Sequence, residues 1–77
     1  MKNYVIKRTR IKSSNQKSLN QVRYFVGYID LGALGQSEHW GHESDAQLQN
    51  TNEAQGLLQL FTRADKSGNY TFEIITK

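Results

Sequence analysis

The chain has 77 residues, enough for one domain spanning 1–77 and too few for two. It has no cysteine, which excludes disulfide staples, thiolate nucleophiles and thiolate metal sites. Its net charge of +3 hides a polarity: Lys2, Lys7, Arg8, Arg10, Lys12, Lys17 and Arg23 all precede the first acid, Asp30, so the first 23 residues carry +7 and the remainder −4. One end of a small domain is therefore expected to be electropositive, either as a solvated edge or as a docking face for phosphate or an acidic protein.

Residues 4–12 read as a first strand, with Tyr4 and Ile6 on the face that also carries Arg8, Arg10 and Lys12. The polar stretch from Ser13 to Gln21 has no period and reads as a mobile hairpin loop. Residues 22–30 form the strongest strand. Val22, Tyr24, Val26 and Tyr28 alternate with Arg23, Phe25, Gly27 and Ile29, apolar on both faces, as in a central strand. Gly27 marks a bulge or close backbone approach, and Gly32-Ala33-Leu34-Gly35 makes the following turn.

A short third strand is expected at 38–42, followed by a turn at Glu43-Ser44-Asp45 and an extended segment that packs Ala46 and Leu48 on the core. The helix that follows has Thr51 as N-cap, with Asn50 and Glu53 offering a capping box one residue earlier. Ala54, Leu57, Leu58 and Phe61 share one helical face. Gly56 is expected to let the helix approach the sheet, and Gly68 to turn the chain after it. A closing strand at 69–76 places Tyr70, Phe72 and Ile74 together. The expected fold class is α+β: an antiparallel β-meander, one amphipathic helix and a closing strand (β-β-β-α-β).

The densest polar cluster runs from Glu38 through His39, Trp40 and His42 to Asp45. Two histidines three residues apart on a strand point to opposite faces, so no metal site is expected there. No nucleophile sits in an elbow motif, no glycine-rich loop cradles phosphate, and no carboxylate pair has hydrolase spacing. The expectation is a non-enzyme without catalytic residues, cofactor or metal. The segment Met1–Arg8 is too poor in apolar residues for a signal-peptide core, and no run is long enough to span a bilayer; a cytoplasmic protein is expected.

The C-terminal half, Asn50-Thr51-Asn52-Glu53-Ala54-Gln55-Gly56-Leu57-Leu58 through Gly68-Asn69-Tyr70-Thr71-Phe72-Glu73-Ile74-Ile75, is similar to small phage and prophage accessory proteins. In these, a helix opened by T-x-E-A closes on a strand like Y-x-F-E-I-I. The resemblance implies an accessory protein of a mobile element, such as the anti-CRISPR proteins that inhibit host defence by occupying a surface of a nucleic-acid machine. The Trp40-Gly41 pair ahead of T-x-E-A also resembles the DNA-binding domains of ethylene-response factors and some tyrosine integrases. Those domains lay their sheet in the major groove, although their arginine-rich second strand is here apolar Tyr24-Phe25-Val26-Gly27-Tyr28.

The leading expectation is thus a non-catalytic binding protein that occludes a host protein or nucleoprotein complex, as a monomer or homodimer away from membranes. The alternative is a small DNA- or RNA-binding domain using its basic sheet end. Expected contact residues are Arg8, Arg10, Lys12 and Arg23 by charge, and Tyr28 and Trp40 as aromatic anchors.

Overall fold

The computed structural model describes residues 2–13 and 16–77. Its elements are β1 (Tyr4–Arg10), β2 (Val22–Asp30), β3 (Gln36–Gly41), α1 (Thr51–Ala64) and β4 (Tyr70–Thr76), with short 3-10 turns at Gln16–Ser18, Gly32–Leu34 and Glu43–Asp45. The strands form one antiparallel sheet in the order β3-β2-β1-β4. This is the expected α+β fold, and the helix carries the chain from one edge strand to the other. Among the described residues no helix is long and apolar enough to cross a membrane.

Register decides which side chains meet, because residues directly opposite on antiparallel strands share a face. Ile6 pairs with Ile74, Arg8 with Phe72 and Arg10 with Tyr70 on one side of β1; Arg8 pairs with Arg23 on the other. β2 is bulged between Phe25 and Gly27, where the register against β3 shifts and Gly27 takes a φ of 153°. The bulge returns Tyr28 to the same face as Phe25, with which its ring makes an edge contact at 5.3 Å.

α1 covers that face. Asn50, rather than Thr51, is its N-cap: Asn50 Oδ1 accepts the Glu53 N–H at 2.8 Å, and Glu53 Oε1 accepts the Asn50 N–H at 3.0 Å. The reciprocal pair satisfies two otherwise unpartnered donors, so it prevails over the hydroxyl of Thr51. Ile6, Phe25, Ala54 and Phe61 form the buried core, with Tyr4, Trp40, Leu57, Phe72 and Ile74 packed around it. Leu58 is only half-buried. Gly56 does not bring the helix onto the sheet, since a Cβ there would meet nothing within 4 Å. After the helix Asp65 takes over: its carboxylate accepts the Tyr70 N–H at 2.9 Å, and its carbonyl accepts from Gly68, whose φ is 68°.

Several boundaries differ from the sequence reading. β1 stops at Arg10, because the Ile11 and Lys12 N–H groups both donate to the Asn69 carbonyl and leave the ladder. β3 begins two residues earlier than expected and ends at Gly41. In the 13–21 loop, Ser14 and Asn15 lie outside the described residues, and Gln16–Ser18 forms a 3-10 turn.

The segment before the helix is extended but inverted in parity: Gln49 is 5% exposed and Leu48 is 43% exposed. The cause is a split in the sheet. β1 and β2 pair directly only over Lys7–Thr9 and Val22–Tyr24. On the hairpin side Arg10 continues the contact, donating to the Gln21 carbonyl at 3.0 Å and accepting from the Asn20 N–H at 2.8 Å; on the Tyr4 side the strands part, and residues 47–49 enter the gap. Gln49 exchanges hydrogen bonds with Tyr4 at 3.1 and 2.7 Å, and the Gln47 N–H donates to the Phe25 carbonyl at 3.0 Å. The pairing with Tyr4 turns Gln49 toward the helix, where its amide donates to Gln47 Oε1 at 2.9 Å.

Phe61→Ala should destabilise the domain by about 3–5 kcal/mol, whereas Leu60→Ala, at a position 53% exposed, should change stability by less than about 0.5 kcal/mol. Urea denaturation checks both. Glu53 makes a second expectation. The Asn50 N–H chiefly, with Lys2 at 3.6 Å, holds its carboxyl below the ordinary range. A depressed folded value contributes stability above the unfolded pKa of about 4.3, lost as pH falls through the folded one. Glu53→Gln should therefore flatten the acid limb of the stability–pH curve.

Candidate functional site

The period-two alternation of β1 puts Arg8 and Arg10 on the helix-facing side of the sheet, beyond the end of the apolar core. Pairing brings Arg23 of β2 opposite Arg8. Rings from both edge strands close over Arg8: its guanidinium carbon lies 4.5 Å from the Trp40 ring centroid and 4.4 Å from that of Tyr70. Arg10 lies 4.9 Å from the same Tyr70 ring and donates to the Tyr70 hydroxyl. Arg23 donates to the Val22 carbonyl at 2.8 Å.

Three cations thus crowd one corner. Among the described residues no carboxylate lies at ion-pair distance from any of them. Burial pushes the Arg8 guanidinium below its usual value, and the charges of Arg10 and Arg23 push it further, against the upward pull of Tyr70 and Glu38. Arg8 remains a cation at any physiological pH, so the cost appears as electrostatic strain rather than lost charge. Cation–π contact with two rings offsets part of it.

Arg8 lines a cleft of about 180 Å³ with Glu38, Trp40, Phe61, Tyr70 and the end of α1 at Ala64 and Asp65. Asp65 is occupied in the turn, where it also accepts the Ser67 hydroxyl at 3.2 Å. Glu38 stands between two of the expected contact residues: it acts on Arg8 and also on Tyr28, whose phenol is pushed up by burial first and by Glu38 second.

The structure therefore gathers Arg8, Arg10, Arg23 and Trp40 into one constellation. Trp40 is half-buried and packs on the core, supporting Arg8 instead of standing free. Tyr28 is 48% exposed and lines a different groove, with Leu57 and Leu60 of the helix. Lys12 lies just past β1 and lines a polar recess with Arg10. Tyr70 is the residue that sequence reasoning passed over. Its role depends on β4 pairing with β1, which no local pattern reveals. His39 and His42 are exposed, and no group of three or more metal-ligating side chains occurs among the described residues.

The sheet's other face carries Val5, Lys7, Thr9, Tyr24, His39, Glu73 and Ile75 and holds no arginine among the described residues. What the constellation offers chemically is positive charge and hydrogen-bond donors held by rigid neighbours, suited to an anion.

Comparison with protein-family models, curated proteins and solved structures finds no match to the chain.

Trp40 is the sole tryptophan, so its emission reports on the clamp alone. Arg8→Ala should uncover one face of the indole and increase its quenching by acrylamide while the far-ultraviolet circular dichroism stays unchanged. Arg8→Lys should fall between, since an ammonium cannot stack as a planar guanidinium does.

Proposed function

We propose that the protein is a non-catalytic binding module that holds an anionic macromolecular surface through Arg8, Arg10 and Arg23, braced by Trp40 and Tyr70. The observation that carries this reading is Arg8, a half-buried cation clamped between two rings, with two like charges beside it and no carboxylate at ion-pair distance among the described residues. Burying a cation among cations costs free energy, and an anion supplied from outside would offset it. The clamp also pre-organises the guanidinium, which lowers the entropy lost on binding.

Such a module acts by occupying a surface, not by transforming a substrate. The resemblance to phage and prophage accessory proteins adds the reading that the surface belongs to a host defence complex in the host cytoplasm, inhibited by occlusion in the manner of anti-CRISPR proteins. The sign of the charge supports contact with an acidic component of such a complex. A mimic of nucleic acid would need the opposite sign. Direct nucleic-acid binding is the second reading, favoured by the same row of cations. The arginines lie at one end of the helix-facing side, so contact would be end-on, unlike the face-on groove contact of three-stranded DNA-binding domains.

Calorimetric titration with heparin, a sulfated polyanion, tests the docking face. Saturable binding that weakens with salt is expected. Each of Arg8→Gln and Arg23→Gln should weaken it by about tenfold, the value of one charge-assisted hydrogen bond. Lys2→Gln, at the opposite end of β1, should leave it unchanged. Absence of binding at low salt, or an equal loss from Lys2→Gln, would remove the reading.

A further inference from the structure

Building on that docking face, we infer that the anion recognised is a phosphate of a nucleic-acid backbone, seated in the recess formed by Arg10, Lys12, Ser13 and Asn69. The recess measures about 460 Å³ and opens where β1 ends. Its lining includes two cations and no acid, unlike the cleft beside Arg8, which contains Glu38 and Asp65. An oxyanion entering the recess meets no like charge on its walls.

Arg10 supplies a second and independent observation. Its Nε is buried without a hydrogen-bond partner, and no other buried side-chain nitrogen or oxygen among the described residues is left so. Its Nη2 is already committed to the Tyr70 hydroxyl. A buried guanidinium N–H without an acceptor is costly, so Arg10 gains from any acceptor that reaches it. The opposite wall is fixed by backbone: the Asn69 carbonyl accepts from Ile11 at 2.8 Å and from Lys12 at 3.2 Å, which holds Lys12 beside Arg10.

The cations also form a row. Arg8 and Arg10 are two residues apart on β1, a spacing of about 6.6 Å along extended chain, of the order of the separation between successive phosphates on an extended nucleic-acid strand, and Lys12 follows where the chain leaves the ladder. Arg23 stands opposite Arg8 at the start of the row. A phosphate presents several oxygens at once, which suits simultaneous contact with the donors of Arg10 and the ammonium of Lys12. Bases have little to stack on, because guanidinium groups already lie over the Trp40 and Tyr70 rings. The recognition is of backbone and is blind to sequence.

Fluorescence anisotropy tests this with a labelled oligothymidylate, an abasic oligonucleotide of the same length, and polyglutamate of matching charge as competitor. The two oligonucleotides should bind alike, and polyglutamate should compete poorly. Arg10→Gln and Lys12→Gln should each weaken binding and reduce the slope of log affinity against log salt by about 0.7, the loss of one phosphate contact on a single strand. Lys12 is exposed, so its variant keeps the test valid if Arg10→Gln disturbs folding. Polyglutamate competing as well as DNA, an abasic strand binding much more weakly, or indifference to both substitutions overturns the phosphate assignment and leaves the docking face standing. If neither polyglutamate nor DNA binds at low salt, both are overturned.

Discussion

The Phe61 ring is the contact on which the rest of the molecule depends. It lies 5.0 Å from Phe25, 5.1 Å from Trp40 and 5.9 Å from Phe72, so one helical side chain ties together strands β2, β3 and β4. Few apolar side chains are fully buried in so small a domain, and each carries a large share of a modest total stability. From Phe61 the contacts run outward without a break. Trp40 packs on Phe61, Arg8 stacks on Trp40, Tyr70 stacks on Arg8, and Arg10 stacks on Tyr70. The core and the arginine corner thus share their rings, and the geometry of Arg8 and Arg10 is inherited from core packing.

That inheritance explains how a corner with three arginines, none of them at ion-pair distance from a carboxylate among the described residues, persists. Flexible surface arginines would separate to reduce their repulsion, whereas these are held by ring contacts and by strand register. Folding agrees across levels almost everywhere in this chain: capping, alternation and turn glycines all favour the same structure. The corner of β1 is the place where local electrostatics conflicts with the rest, and such conflicts are characteristic of functional sites.

Much of this was legible in the sequence, and what was not has a common cause. The span of β2, the bulge at Gly27, the turn at Gly32–Gly35, the helix and the closing strand all follow from local patterns of residue type. The grouping of Arg8, Arg10 and Arg23 was foreshadowed by charge asymmetry. The part played by Tyr70 was not, because it requires β4 to return beside β1 across a long stretch of chain. The reversed parity of Leu48 and Gln49 likewise depends on a gap between two distant strands. Gly56 looked like a packing device and is open to solvent, since a helix needs no close approach where large aromatic rings fill the space beneath it.

The split between β1 and β2 gives the sheet the mechanics of a pair of scissors. One blade is the β2–β3 hairpin and the other the β1–β4 pair; the pivot is the short run where Lys7–Thr9 meets Val22–Tyr24. Arg8 and Arg23 sit on that pivot. At the open end of the blades the hydrogen bonds of residues 47–49 take the place of direct pairing. The charged corner therefore sits where the two halves of the sheet are bonded to each other directly, and the inserted segment sits at the opposite end.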